Sequence, residues 1–316
     1  MSALPTEDQV RAARELLRRH LPVTRLVPAP SLTGRLGAPV WLKLESDLPT
    51  GSFKPRGALH ALASRLDRQV VREVVACSTG NHGAAVAYAA NVMRVPATIY
   101  LPRNPNPVKR AKIAALGARI VEVGDVDTTG AAGAARDHAC RQGVYFLDDA
   151  TDPDLPAGPA TIALEILEQA PEVGAILVPI GDSALIRGIA AAARRARPTI
   201  RVIGVQATAA PSYYLSWKQG GPVETESCDT IADGLATRIP QPASVDALRV
   251  AVDDILLVSE EQMLDAIRHL IIEEHVVAEP AGAATTAAAL AGGALDGPTA
   301  LLVTGANLSP EVLSQL

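Results

Sequence analysis

The sequence predicts an α/β protein with mostly parallel sheets that are covered by helices on both faces. Short apolar, β-branched runs alternate with helical stretches along most of the 316 residues. Such runs are typical of parallel strands, because the crossover helices bury both faces of the sheet. No repeat of fixed period and no low-complexity linker divides the chain, so we expect two domains that interleave in sequence.

The first half of the chain establishes this alternation. Thr6-Glu7-Asp8-Gln9 has the pattern of a capping box and predicts a helix after it, and Val40–Glu45 alternates as a half-buried strand does. Further strands are predicted at 74–77, 98–101, 119–123 and 144–147, separated by helices near 83–91, 107–116 and 127–142. Gly117 and Gly143 are placed to end two of these helices.

The second half continues in the same way. Helices are predicted near 160–170 and 184–196 and from Ser259 to about 274, with strands at 175–178, 202–205 and 301–303. Residues 208–250 interrupt the alternation with Pro211 and a Gly-Gly-Pro turn at 220–222. Glu273 and Glu274 are expected on a solvated helix face.

Composition excludes several classes of protein. Lys and Arg number 29 against 34 Asp and Glu, which gives a net charge of −5 and disfavours nucleic acid as a partner. Aromatic residues make up only 3%, too few for a base-stacking platform. Three widely spaced cysteines, no signal-peptide core and no run of 18 apolar residues predict a cytoplasmic protein that does not associate with membranes.

Ligands of such sheets bind at the carboxyl ends of strands, on the loops that lead into helices. One loop, Gly51–Gly57, places Lys54 before Pro55 and therefore at a predicted helix N-terminus. The helix dipole disfavours an ammonium there, so the position suits a neutral or covalently bound lysine. An ordinary surface lysine in a turn is the alternative reading of this spacing.

Three further loops carry small polar residues after predicted strands. Ser78–Gly83 and Pro179–Gly188 each join a strand to a helix and could bind an anion on backbone N–H groups. A plain N-cap with a tight turn explains Ser78–Gly83 equally well. Asp182 opposes phosphate binding, because its charge would repel the anion unless Arg187 and the helix dipole offset it. The last loop, Val303–Asn307, offers the neutral hydroxyl of Thr304.

Other chemical motifs are missing from the sequence. There is no phosphate-binding GxxxxGK[ST], no GxGxxG after a strand and no GxSxG. The six histidines form no HExxH pattern, so a metal site is not predicted.

Five motifs in the same order resemble the fold-type II pyridoxal-phosphate enzymes, specifically the threonine and serine dehydratases and serine racemase. They are Ser52-Phe53-Lys54-Pro55-Arg56-Gly57-Ala58, Ser78-Thr79-Gly80-Asn81-His82-Gly83, Ala232-Asp233-Gly234, Glu279-Pro280-Ala281-Gly282-Ala283 and Thr304-Gly305-Ala306-Asn307. Together they span nearly the whole chain. The resemblance implies a tryptophan synthase β-like fold, bound pyridoxal 5'-phosphate and a homodimer. It also implies a large cofactor domain, 1–69 with 150–316, and a small mobile domain, 70–149.

Site residues follow from the resemblance position by position. Lys54 would hold the cofactor as an internal aldimine and move the Cα proton, with Ser78 and Thr79 as further catalytic positions. Phe53 would flank the cofactor ring, and Asn81 would hydrogen-bond its phenolic oxygen. The cofactor phosphate would be held by Gly181, Asp182, Ser183, Ala184 and Leu185. The substrate would be bound by Ser78, Thr79, Gly80, Asn81, His82, Gly158, Pro159 and Gly234.

The resemblance also implies that Thr304 faces the pyridine nitrogen of the cofactor. A neutral hydroxyl does not enforce a protonated pyridine, which favours early loss of a β-leaving group over a long-lived carbanion. The implied function is a dehydratase that converts a β-hydroxy amino acid to a 2-oxo acid and ammonia. Threonine and serine are the default substrates; phenylserine, hydroxyaspartate or a hydroxyectoine-related compound are bulkier or special analogues.

The sequence departs from the family pattern at several positions. Only Gly181 remains of the glycine-rich phosphate loop, and Gly158-Pro159-Ala160 replaces the usual Gly-Gln-Gly. Thr79 stands where racemases of the family have a serine, and Gln206 stands where the family's cation site has a glutamate, so no metal is predicted. A β-replacement transferase, an amino-acid racemase and a non-catalytic ligand-binding protein remain as alternatives.

Overall fold

The computed structural model describes residues 4–103, 105, 107–124, 128–292 and 297–316. The strands are β1 Leu26–Pro28, β2 Val40–Leu44, β3 Val74–Cys77, β4 Ala97–Pro102, β5 Arg119–Val123, β6 Tyr145–Phe146, β7 Ala175–Pro179, β8 Arg201–Ala207, β9 Asp254–Val258 and β10 Thr299–Val303. The helices are α1 Glu7–Leu17, α2 Pro30–Leu36, α3 Lys54–Arg68, α4 Asn81–Met93, α5 Pro107–Ala115, α6 Thr128–Gln142, α7 Ala157–Gln169, α8 Ala184–Ala196, α9 Ser212–Gln219, α10 Pro242–Ala251, α11 Glu260–Ile272, α12 Pro280–Leu290 and α13 Pro310–Leu313.

Two sheets organise these elements. The larger has the strand order β1-β2-β10-β7-β8-β9, in which only the β1–β2 pair is antiparallel among the described pairs. The smaller sheet is parallel with the order β5-β4-β3-β6. The α/β class and the mostly parallel sheets are confirmed. The division into a large and a small mobile domain stays a prediction.

The larger sheet is buried on both faces, as its apolar strands predict. Along β10, Leu301 and Val303 pack into a core shared with α11 and α12. Ala300 and Leu302 point the other way, into a core shared with α7 and α8. Neither face of these central strands is left to solvent, which explains why they lack a polar alternation.

Several boundaries differ from the sequence prediction for local reasons. Helix α7 begins at Ala157 rather than near 160, because a proline in the first turn of a helix costs no hydrogen bond and Pro159 is tolerated there. The interrupted region 208–250 contains α9 and α10. Residue 127, where the sequence predicts a helix to begin, lies outside the described residues, as do residues 1–3.

The expectation for Glu274 was wrong. Its side chain is only 2% exposed, and its Oε1 accepts a hydrogen bond of 3.0 Å from the backbone N–H of Leu32. Leu32 lies in the first turn of α2, where N–H groups have no partner within the helix. Glu274 therefore caps a neighbouring helix, a contact across 242 residues that sequence periodicity does not reveal.

Candidate active site

Lys54 is the first residue of α3, and the segment before it is bound to the end of β10. The backbone N–H of Phe53 donates to the carbonyl of Thr304 at 3.0 Å, and Ser52 forms an isolated antiparallel bridge with Gly305. Pro55 follows in the first turn, where its fixed φ favours the start of a helix. The lysine and the Thr304 loop, 250 positions apart in the sequence numbering, are therefore held together by main-chain hydrogen bonds.

The side chain of Lys54 forms an ion pair with Asp149, and both side chains are less than one-fifth exposed. The Lys54 Nζ also lies 5.3 Å from the centre of the Phe53 ring. Burial opposes ionisation of Asp149, but Lys54 and His82 outweigh it and hold the pKa of this carboxyl below its usual value. The carboxylate compensates the repulsion between the ammonium and the dipole of α3.

The Ser78–His82 loop leads from β3 into α4 as predicted. Gly80 is the N-cap of α4 and offers no side-chain bond to the first N–H groups of the helix. Ser78 Oγ accepts a hydrogen bond from the Gly80 N–H at 3.1 Å, and Ser78 and Thr79 are half-buried. His82 Nε2 donates to the Leu147 carbonyl at 3.0 Å, and its Nδ1 lies 3.5 Å from Asp149 Oδ1.

Asn81 is fixed by a network of side chains from distant parts of the chain. Its Nδ2 donates to Glu279 Oε1 and its Oδ1 accepts from Asn307 Nδ2, each at 2.6 Å. Lys112 of α5 in turn donates to Asn307 Oδ1 and to the Thr50 carbonyl. Burial raises the pKa of Glu279 to about 7. The orientation of the Asn81 amide is thus set by its neighbours.

The β7–α8 loop lies against the short 3₁₀ turn Asp233–Leu235. A Cβ on Gly181 would lie 2.1 Å from the Gly234 carbonyl oxygen, so position 181 requires glycine. Ser183, the N-cap of α8, has φ of +70° and makes no side-chain capping bond. This left-handed conformation is one that glycine adopts more readily than serine.

Asp182 lies in this loop and accepts a hydrogen bond of 3.1 Å from the Thr237 hydroxyl. Burial and the neighbouring Asp149 raise the pKa of its carboxyl. Ala184 and Leu185 form the start of α8 and are buried. Arg187, one turn further, points its Nε at Ser183 Oγ at 3.2 Å.

Two predicted substrate residues lie inside a helix rather than in a loop after a strand. Gly158 and Pro159 are buried in the first turn of α7. A Cβ on Gly158 would lie 2.1 Å from the carbonyl oxygen of Arg56, so this glycine allows α7 to approach α3 closely. The structure brings the other predicted positions to the carboxyl ends of β3, β7 and β10 and to the start of α3.

Sequence reasoning gave no role to Asp149 and none to Glu279. Asp149 closely follows the predicted strand 144–147, so the rule that ligands bind beyond strand ends could have found it. Glu279 was part of a quoted motif, but its contact with Asn81 spans 198 residues and has no local signal.

No metal was predicted, because Gln206 stands where the family's cation site has a glutamate. Gln206 is buried in β8. Its Oε1 accepts from the Tyr214 N–H at 2.9 Å, while its Nε2 has no hydrogen-bond partner among the described residues. Across the described ranges no group of three or more His, Cys, Asp or Glu side chains is arranged to hold a metal ion.

Comparisons with known proteins decide the family. Residues 17–305 match the family model described as pyridoxal-phosphate dependent enzyme. The chain belongs to this family. It is 35% identical over 308 residues to an L-threonine ammonia-lyase of Geobacter sulfurreducens, covering 96% of this chain and 76% of the relative. It is 32% identical to an L-threo-3-hydroxyaspartate ammonia-lyase of Saccharomyces cerevisiae, covering 91% and 88%.

Solved structures of this pyridoxal-phosphate family share the fold. Maize serine racemase superimposes with a TM-score of 0.92 at 30% identity, covering 98% of this chain and 95% of that one. A threonine deaminase from T.th. superimposes with a TM-score of 0.90 at 35% identity, covering 96% and 99%. The resemblance that the five motifs indicated, to fold-type II enzymes of the threonine and serine dehydratase type, is confirmed.

The residues of the site fit pyridoxal phosphate, the cofactor of the family. Lys54 offers a primary amine, and the N-termini of α4 and α8 offer backbone N–H groups to which no side-chain cap is bonded. Thr304 offers a hydroxyl at the end of β10. These donors match the carbonyl, the anionic groups and the ring nitrogen of the cofactor.

Within the described ranges, no helix combines the length and apolarity needed to cross a membrane.

Proposed function

We propose that the protein is a pyridoxal-phosphate-dependent ammonia-lyase that converts a β-hydroxy amino acid to a 2-oxo acid and ammonia. The observation that carries the proposal is the main-chain bond between Phe53 and Thr304, which brings Lys54 to the end of β10 beside a neutral hydroxyl. The ammonia-lyase relatives support the same reaction. In the net reaction the β-hydroxyl leaves as water, one water is taken up, and the amino group leaves as ammonia.

Each residue of the site has a task in this reaction. The cofactor supplies an electron sink for the substrate's Cα when an amine is joined to it. Lys54 takes the proton from Cα, and Phe53 packs beside the ring. Thr304 offers an uncharged partner to the ring nitrogen, which limits the lifetime of a carbanion and favours loss of the β-hydroxyl.

The remaining residues bind and orient. The N–H groups at the start of α8, from Gly181 to Leu185, hold the cofactor phosphate. Asn81 directs an amide N–H at the phenolic oxygen, in an orientation maintained by Glu279 and Asn307. The substrate carboxylate is bound by the Ser78 hydroxyl and by N–H groups of the loop that ends at His82. We assign substrate binding also to Thr79, Gly158, Pro159 and Gly234.

We also propose a domain organisation, an oligomeric state and a cellular location for the enzyme. Residues 70–149 form a small domain that closes over the substrate, and 1–69 with 150–316 form the cofactor domain. The protein acts as a cytoplasmic homodimer on a small amino acid.

A substrate panel tests the function. We expect the cofactor-loaded protein to form equal amounts of 2-oxo acid and ammonia from at least one of threonine, serine, phenylserine and 3-hydroxyaspartate. Lys54→Ala should lower the rate at least about a thousandfold, since the base and the covalent attachment are both lost. Lys218→Ala, which removes an exposed lysine of α9, is the control and should keep the rate.

Other results would select the alternatives. Trapping of the product by an added thiol without release of oxo acid would indicate β-replacement, and inversion at Cα without elimination would indicate a racemase. No turnover of any panel member by protein with bound cofactor would indicate a non-catalytic relative.

A further inference from the structure

A cavity of about 190 Å³ opens beside Asp149, the carboxylate that forms an ion pair with Lys54. It is several times larger than the roughly 30 Å³ that one water occupies in the liquid. Its wall is formed by the ends of β3 and β6, by α6 and by the β7–α8 loop. Three aspartates line it, which are Asp148, Asp149 and Asp182.

The three carboxylates differ in how their charge is compensated. The charge of Asp148 is already compensated. Its Oδ2 accepts a hydrogen bond from Arg136 Nη2 at 3.0 Å, and its Oδ1 accepts from the backbone N–H groups of Ala150 and Thr151. Asp149 is matched by Lys54 and by His82. Asp182 accepts a hydrogen bond from the neutral hydroxyl of Thr237. Lys54 and Arg187 are cations that lie near enough to interact with both Asp149 and Asp182.

The charge balance changes when the cofactor binds. To hold the cofactor, Lys54 would have to be covalently linked, and to accept the Cα proton it would have to be a neutral amine. In neither state would it serve as the free ammonium partner of Asp149. A cofactor phosphate held by the N–H groups at the start of α8 would add up to two negative charges to the loop that contains Asp182. The cavity would thus gain negative charge while the Lys54 cation is withdrawn from its carboxylates. A cationic partner would compensate Asp149, and it would favour the ionised form of Asp182, whose pKa is raised by burial and by Asp149.

The structure also shows which cation Asp149 accepts. Its partner is the primary ammonium of Lys54, carried on a flexible aliphatic chain. A substrate side chain that ends in the same group would place it against the same carboxylate.

We propose that Asp149 and Asp182 select a β-hydroxy amino acid whose side chain ends in an ammonium group. The inference rests on the proposed function, because it names the substrate class of the same site. Threonine and serine, whose side chains carry no charge, would leave Asp149 and Asp182 without this partner.

The test uses two compounds that differ only in the terminal ammonium, 3-hydroxyornithine and 3-hydroxynorvaline, each as a mixture of stereoisomers. We expect kcat/KM for the charged compound to exceed that for the neutral one at least about tenfold, as a charge-assisted hydrogen bond predicts. Asp149→Asn and Asp182→Asn should each reduce that ratio at least about fivefold. Asp148→Asn is the matched control, because Arg136 already compensates its charge, and should change the ratio less than about twofold.

A binding measurement complements turnover. Ornithine and norvaline lack the leaving group, and their dissociation constants for the loaded wild-type protein are measured by calorimetry. Tighter binding of ornithine, weakened by Asp149→Asn, supports the inference even if no compound is turned over, in which case only the proposed reaction fails. Equal binding overturns the inference. It is also overturned if 3-hydroxynorvaline yields oxo acid as fast as 3-hydroxyornithine, which leaves the proposed reaction intact, or if Asp148→Asn changes the ratio as much as the other two variants. The wild-type comparison requires no variant to fold.

Discussion

Glu279 illustrates, at the scale of one residue, how a carboxyl without a catalytic role sets the orientation of a site residue. Its Oε1 accepts from Asn81, and it packs so closely on Gly305 that a Cβ at position 305 would lie 2.3 Å from that oxygen. Burial raises its pKa to about 7. In the folded protein the carboxyl therefore keeps a proton at pH values at which the unfolded chain has lost it.

This difference predicts the pH dependence of stability. Between pH 4.5 and 7 the folded state binds more protons at Glu279 than the unfolded state, so the free energy of unfolding falls as the pH rises through that window. Glu279→Gln should remove up to about 3 kcal/mol of this fall, since one pKa unit corresponds to about 1.4 kcal/mol. Urea unfolding of the cofactor-free protein at pH 5 and pH 8 measures it. Glu15→Gln, at an exposed position of α1, is the control. If the free energy of unfolding falls equally between pH 5 and pH 8 for wild type and for Glu279→Gln, the account is contradicted.

At the scale of elements, the approach of α7 to α3 positions Lys54. Gly158 of α7 lies against the carbonyl of Arg56, two residues after Lys54, and Gly188 of α8 lies against the carbonyl of Pro156 in the same way. These close approaches join the helix that carries Lys54 to the helix whose N-terminus is assigned to the phosphate.

Gly158→Ala should destabilise the protein by at least about 2 kcal/mol, because the new Cβ would overlap a backbone oxygen that has no rotamer to change. Gly34→Ala is the matched helical control, with nothing within 4 Å of its Cβ, and should be neutral or stabilise by up to about 1 kcal/mol. Both values come from urea unfolding. Similar stability for the two variants would show that α7 does not approach α3 this closely.

Elements with strong local signals could be predicted from the sequence. The strand at 119–123 and the helix at 184–196 have the predicted bounds, because an apolar run or an amphipathic period defines them. Strand β9 was not predicted, since this short edge strand begins at the second of two consecutive aspartates and only Ile255 and Val258 are fully buried. The strand predicted at 144–147 is reduced to Tyr145–Phe146, where pairing with β3 ends.

The site could be predicted only in part. Loops after strands have a sequence signature, so the loops that contain Asn81 and Gly181 could be chosen as candidates, and the five-motif resemblance added Lys54. Their partners do not, because Lys54 meets Asp149 across 95 residues and Asn81 meets Asn307 across 226. Such contacts depend on how the two sheets are arranged, which local patterns do not specify.

At the scale of the whole molecule, a buried ionic cluster joins four parts of the chain. Arg56 of α3, 1% exposed, donates to Glu45 at 2.8 Å and to Glu165 of α7 at 2.6 Å, and Lys43 of β2 donates to Glu165 at 2.7 Å. Burial opposes ionisation of Glu165, but Arg56 and Lys43 hold the pKa of its carboxyl below the usual value. The cluster is connected to the candidate site through Arg56, which lies in α3 two residues after Lys54.

Arg56→Met should lower the free energy of unfolding by about 3–5 kcal/mol, because it leaves the buried Glu45 carboxylate without its ion pair and Glu165 with Lys43 alone. Arg11→Met removes an exposed pair with Asp8 and should cost at most about 0.5 kcal/mol. Chemical denaturation compares the two. A small effect at Arg56 would mean that the carboxylates are neutral or solvated.

The central claim is that Lys54 carries the cofactor at the joined ends of β10 and α3. Borohydride reduction of the pyridoxal-phosphate-loaded protein, followed by peptide mapping, tests it most directly. The account predicts the pyridoxyl group on Lys54 alone, with loss of the visible absorbance on reduction and its absence in Lys54→Ala. A label on another lysine, such as Lys43 or Lys112, or a protein that stays colourless with excess cofactor, would contradict it.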